Sequence, residues 1–158
     1  MKTIKNKQLL VGADFAGYPL KEAVCEHLRA KGWEITDIGV RADSDPDDTE
    51  LMFHRVGLRV GSMIAEREFE RALIFCGTGM GIHIAASKCP HVHAGVVESV
   101  PAAHKLEQKL NRQAACGQHQ HLIAQVLQIQ TMCLRWTVRK LQIHGYGDIY
   151  TSNIYRLL

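Results

Sequence analysis

The chain has 158 residues, 46% hydrophobic and 22% charged, with nine histidines and a formal net charge of +3. This length suits a single domain, 1–158, that can bury a core without staples, and the composition excludes a disordered or fibrous class. Basic residues scattered among acidic ones argue against a nucleic-acid partner, while the lack of an apolar run near 18 residues and of a signal-peptide cleavage pattern leads us to expect a cytoplasmic protein with no membrane partner.

Five cysteines, Cys25, Cys76, Cys89, Cys116 and Cys133, show no CxxC spacing. An odd set of that kind fits reduced thiols better than a disulfide framework. The first apolar run, QLLVGAD, reads as a strand. After DFAG, the stretch PLKEAVCEHLRAKG carries Leu20, Val24, Cys25 and Leu28 at helical spacing, with Pro19 at the opening turn and Gly32 at the stop. WEITDIG alternates as a strand, and VRADSDPDDTE is a loop because its Asp, Ser and Pro compete with regular structure. A helix is expected from about Leu51 to Arg67, with Val56, Val60, Met63 and Ile64 on one face.

RALIFC is a continuous apolar run, as in a strand covered on both sides of a parallel sheet. GIHIAASK reads as a helix, HVHAGVVE as a fourth strand, PAAHKLEQKLN as a helix and RQAACG as a short fifth strand. A last helix is expected through HLIAQVLQIQTMCLRWTVRKLQ, followed by a tyrosine-rich tail. Strands alternating with helices of ten or more residues imply right-handed crossovers. The expected fold class is α/β: a doubly wound, Rossmann-like parallel sheet of five strands in a three-layer α/β/α domain.

In such a sheet, ligands bind beyond the carboxyl ends of the strands where the winding reverses. Strand order 2-1-3-4-5 would make neighbours of two unusual strand ends, Gly12 to Gly17 and Cys76 to Gly81, and bring Asp14 close to Cys76 and Thr78. Gly77, Gly79 and Gly81 lack Cβ atoms, so several backbone N–H groups can converge at a helix start and hold a phosphate, a carboxylate or a developing oxyanion. Tight turns made only for packing look the same. The loop is neither a Walker motif, since no GK[ST] follows, nor a dinucleotide loop. A cysteine beside those N–H groups has its thiolate favoured and suits a base or nucleophile; the plainer reading is a small buried hydrophobe.

From about Leu9 to Cys116 the sequence resembles a family of sugar-phosphate aldose–ketose isomerases, the type B ribose-5-phosphate isomerases and the galactose-6-phosphate isomerase subunits. The similarity is carried by GADFAGYPLKEAVCEHLRAKGWEITDIG and RALIFCGTGMGIHIAASKCPHVHAG. It implies proton transfer between C2 and C1 of an open-chain sugar through a cis-enediolate, without metal or other cofactor. It also implies a homodimer or homotetramer with active sites shared between subunits, the segment 122–158 lying at the oligomer interface.

By this resemblance Cys76 is the base and Thr78 assists the hydroxyl proton. The amides of Gly77, Gly79 and Gly81 form an anion hole, with Met80 in the same substrate-binding loop, and Asp14 binds sugar hydroxyls. The chain departs from the family at the substrate end. Phe15 stands where a histidine associated with phosphate or ring opening is usual. Met52-Phe53-His54 replaces Asp-Tyr-Pro, which removes a sugar-contacting tyrosine and offers His54 instead. Lys109 falls at the ring-opening histidine, Asn111 is kept as a substrate contact, and the arginine pair that binds phosphate has no clear counterpart in GYGDIYTSNIYRLL. The expected substrate is a small phosphorylated sugar, a pentose or tetrose phosphate; ribose 5-phosphate itself becomes doubtful, and a phosphorylated tetrulose or another short ketose, which needs no ring opening, would tolerate the lost histidine.

Two rivals belong to other classes: a sugar-phosphate-binding homologue or subunit that has lost catalysis, and a redox protein using Cys76, disfavoured because no resolving cysteine lies nearby. Cys89, His91 and His93, and again His119 and His121, alternate in a way that places side chains on one strand face, but their spacing matches no common zinc signature and no metal is expected.

Overall fold

A computed structural model describes residues 7–97, 101, 102, 105, 106, 108 and 124–127. The elements are β1 (Gln8–Ala13), α1 (Tyr18–Ala30), β2 (Glu34–Asp37), a 3-10 turn (Thr49–Leu51), α2 (Phe53–Ala65), β3 (Ala72–Phe75), α3 (Met80–Ala86), β4 (Ala94–Val97) and β5 (Ala124–Leu127). Pro19 sits in the first turn of α1, where its missing N–H costs nothing. Gly32 follows that helix at φ 79°, a left-handed conformation that favours glycine.

The described strands pair in parallel in the order β2-β1-β3-β5-β4. Successive residues of β1 and β3 point to opposite faces, and the core divides accordingly. Leu9, Val11, Ala13, Leu73 and Phe75 pack with Val24, Cys25 and Leu28 of α1. Leu10, Ala72, Ile74 and Cys76 pack with Val56, Val60 and Ile64 of α2 and Ile82 and Ala86 of α3. The chain steps one way from β1 to β2 and back past β1 to β3, so crossovers of one hand place α1 and α2 on opposite faces. The expected three-layer α/β/α arrangement is present, with the winding reversing between β1 and β3.

The far side of the sheet corrects the sequence reading. Residues 124–127 fall inside the long helix expected from sequence, yet Ala124–Leu127 is a strand between β3 and β4, which the expected order 2-1-3-4-5 had made neighbours. A short apolar run such as LIAQVL fits either periodicity, and pairing on both sides decides for the strand. The expected strand RQAACG and the remainder of the expected terminal helix lie outside the described residues. Among the described residues no helix is long and apolar enough to cross a membrane.

Candidate active site

Two loops meet at the reversal point. After β1 the chain turns through Asp14 to Gly17 into α1, and Asp14 Oδ1 accepts the Gly17 N–H at 2.8 Å, an Asx turn that closes the loop. The Asp14 N–H donates to the Phe75 carbonyl at 3.2 Å, and a Cβ on Gly17 would overlap the Phe75 carbonyl and the Cys76 nitrogen. Gly17 thus lets the first loop lie on the end of β3. On the other side, a Cβ added to Gly77 would stand 3.2 Å from the Ala16 Cβ. The neighbourhood of Asp14 with Cys76 follows from this packing.

Cys76 continues the alternation of β3 and is buried, 7% exposed, on the α2–α3 face. Its Sγ accepts the Gly79 N–H at 3.1 Å. That contact requires the chain to reverse within three residues, and Gly79 does so at φ 73° before leading into α3. Thr78 is exposed, and its Oγ1 accepts the Met80 N–H at 3.4 Å. Met80 is 57% exposed and Gly81 half-buried. A sulfur with a donor aimed at it, an accessible hydroxyl and a glycine turn therefore share one strand end.

Asp14 is half-buried, and burial pushes its carboxyl up from the usual 3.8, against the lowering effect of the Gly17 and Ala16 amides. Cys25 lies in the α1 core, where burial, then the nearby Asp37 charge, push its thiol up to about 11. A thiol so held stays neutral and serves as packing.

Phe15 is half-buried in the first loop. His54 is exposed, its ring edge-on to Phe53 at 5.2 Å and 78°. It is Phe53 that reaches the glycine loop: a Cβ on Gly81 would lie 2.5 Å from the Phe53 ring. The sequence alone suggests that this segment has lost a tyrosine, whereas the aromatic ring is kept without its hydroxyl. Asn111 and Lys109 lie outside the described residues. No group of three or more His, Cys, Asp or Glu among the described residues is placed to hold a metal ion.

Sequence reasoning missed Lys21. Between Leu20 and Glu22 it reads as a solvated helix side chain, yet it is fully buried and bonded to Asp37 and the Val40 carbonyl. Near that pair, a cavity of about 370 Å³ is lined by Tyr18, Glu22, Arg29, Asp37, Arg41 and Asp43 among others. Its two arginines face three carboxylates, so it is no obvious anion site.

Fold and site define a class: a three-layer α/β protein with a cysteine and a glycine turn at the switch point of its sheet. The ribose/galactose isomerase family model matches residues 9–137, and the chain belongs to that family. It is 41% identical over 98 residues to a 4-deoxy-4-sulfo-D-erythrose isomerase of Clostridium sp. (strain MSTE9), covering 62% of this chain and 59% of that one. It is 32% identical over 111 residues to D-erythrulose-4-phosphate isomerase 2 of Mycolicibacterium smegmatis, covering 69% and 70%. Against ribose-5-phosphate isomerase B of Escherichia coli the figure is 31% over 105 residues, 66% of each chain. The chain thus spans under two thirds of the first of these relatives.

Among solved structures, a ribose 5-phosphate isomerase from Thermotoga maritima superposes with a TM-score of 0.62 at 21% identity, covering 93% of this chain and 96% of that one. Ribose-5-phosphate isomerase B of Clostridium thermocellum gives 0.60 at 23%, covering 93% and 94%. At these identities the likeness speaks for the fold.

Proposed function

We propose that the chain is an aldose–ketose isomerase acting on a four-carbon sugar with a terminal anionic group, a phosphate or a sulfonate. The observation that carries this reading is the Gly79 N–H aimed at the Cys76 sulfur, at the strand end that also receives Asp14. In the proposed reaction the Cys76 thiolate takes the proton from the carbon beside the carbonyl; the C–H bond breaks, an S–H bond forms and the electron pair moves onto the carbonyl oxygen. As the thiolate becomes a thiol it releases the Gly79 N–H, which joins the N–H groups of Gly77 and Gly81 in holding the resulting enediolate. In mutational series on other enzymes, one such donor is worth about 3 to 4 kcal/mol. The S–H then returns the proton to the neighbouring carbon, Thr78 assists transfer of the hydroxyl proton, and Asp14 binds sugar hydroxyls.

The four-carbon assignment comes from what the site lacks. A tetrose esterified or sulfonated at C4 has no hydroxyl placed to close a furanose ring, so it reacts from the open chain. An enzyme for it has no use for a ring-opening histidine, and Phe15 and Lys109 stand at the two positions where the family carries histidines. Phe53 on the loop likewise offers an apolar face where a longer sugar would present another hydroxyl. The names of two relatives, a sulfoerythrose and an erythrulose-4-phosphate isomerase, support the same class.

A second subunit is part of the proposal. Met52, Phe53, Leu58, Met80 and Ile84 are large apolar side chains left exposed on and beside α2 and α3, and a surface of that character favours cover by another chain. We assign the cover to a second copy, as a homodimer or as part of a homotetramer. The substrate is tested with purified protein on D-erythrulose 4-phosphate, its 4-deoxy-4-sulfo analogue and D-ribose 5-phosphate. Turnover of one or both four-carbon compounds at a kcat/KM at least tenfold above ribose 5-phosphate is expected. Equal turnover of ribose 5-phosphate contradicts the substrate class, and binding without turnover of any of them marks a homologue that has lost catalysis.

A further inference from the structure

Lys21 is the one buried charged residue among the described residues, with no exposed side-chain surface. Its Nζ donates to Asp37 Oδ2 and to the Val40 carbonyl, both at 2.5 Å, and it also lies 3.0 Å from Glu22 and over the Tyr18 ring. Asp37 ends β2 and Val40 belongs to the loop that follows, so one ammonium on α1 grips that loop at two points. Taking a charge out of water is costly, and a hydrophobic residue of the same length would pack α1 as well. What such a residue could not do is fix where the loop sits.

The held loop bears directly on β1. Asp37 Oδ1 accepts the Gly39 N–H at 2.9 Å, and Gly39 lies so close to the Ala13 backbone that a Cβ there would overlap it. The Val40 N–H donates to the Ala13 carbonyl at 2.9 Å. Ala13 immediately precedes Asp14. The Lys21 N–H in turn donates to the Gly17 carbonyl at 3.0 Å, at the far end of the Asx turn that Asp14 closes. The residue therefore touches both ends of the Asp14 loop, through its own backbone at one end and through Asp37 and Val40 at the other.

We propose that Lys21 is a positioning residue for substrate binding: it holds the carboxyl end of β2 against Ala13 and so sets the place of the Asp14 carboxylate. The inference rests on the reading of Asp14 as the group that binds sugar hydroxyls. It reaches the substrate only through Asp14, so its loss should act on affinity and leave the proton transfer at Cys76 in place.

The test uses Lys21→Met/Asp37→Asn, in which no buried charge is left unpaired, Glu22 being half-exposed to water, and the carboxamide oxygen introduced by Asp37→Asn can still accept the Gly39 N–H, with Lys21→Gln/Asp37→Asn as a second variant if the first folds poorly. Kd for D-erythrulose 4-phosphate is read by calorimetry and KM and kcat by turnover, beside Asp14→Asn and the combination of Asp14→Asn with the pair. The expected result is a Kd and KM raised at least fivefold, kcat within twofold, and an effect of Asp14→Asn that largely disappears in the paired background. A merely structural ion pair leaves the two effects multiplying, and that outcome, or wild-type KM in a folded paired variant, overturns the inference. If Asp14→Asn alone binds and turns over like wild type, the role of Asp14 fails first and the inference falls with it.

Discussion

At the scale of single residues, the role proposed for Asp14 couples stability to substrate binding. Its carboxyl is held above the usual 3.8 by burial, so the folded protein binds that proton more tightly than the unfolded chain does. Stability contributed by this group therefore falls as pH rises from about 3.8 through the raised folded value, and the penalty is fully present above it. Asp14→Asn removes the penalty while keeping an acceptor for the Gly17 N–H. It should be more stable than wild type at pH 7 in urea unfolding, with the advantage vanishing near pH 3.5, and lose substrate affinity at the same time. An advantage that persists unchanged in acid would contradict the burial argument. Cys76 was legible as a candidate base because a cysteine at a strand end beside three glycines is unusual; Lys21 was hidden because nothing local in LKE distinguishes a buried lysine from a solvated one.

At the scale of elements, the turn from β3 into α3 is the part of the site most sensitive to backbone geometry. Gly79 stands at φ 73° and delivers the N–H that meets Cys76. An alanine there bears a left-handed cost of about 1–2 kcal/mol, so Gly79→Ala should lower unfolding stability by about that amount and reduce kcat by more than tenfold. Normal stability in denaturant with full activity would show that the turn tolerates a Cβ and that the donor is dispensable. The helix and strand pattern through β4 was readable because α1, α2 and the buried β3 run carry clear periodicity and end signals. Beyond that the pattern fails: LIAQVL satisfies helix and strand alike, and only its pairing with Leu73 on one side and with Ala94 to Val97 on the other makes β5 a strand. The pairing of distant segments is not written in any local window.

For the whole molecule, the doubly wound arrangement explains why residues from both loops converge, and the expected strand order, which set β1 beside β3, anticipated that convergence. The substrate end was less legible, because departures such as Phe15 and His54 say what is missing without saying what replaces it. Phe53 illustrates the limit: the sequence shows a ring at the tyrosine's position, and only the packing on Gly81 shows where that ring lies. The exposed apolar side chains of α2 and α3 belong to this scale too. If a second copy covers them, wild-type protein should sediment as a dimer or tetramer, and Ile84→Glu should shift it towards monomer with the fold intact by circular dichroism. A wild-type monomer at micromolar concentration would remove that part of the proposal.

The central claim is that Cys76 moves a carbon-bound proton of the substrate. The most direct measurement is deuterium incorporation from D2O into D-erythrulose 4-phosphate, followed by NMR with wild type and Cys76→Ala at matched fold content. The account predicts incorporation at the carbon beside the carbonyl with wild type and a loss of at least a thousandfold in its rate with Cys76→Ala, while binding of the sugar survives. Incorporation at an undiminished rate in Cys76→Ala would assign the base to another group and contradict the account.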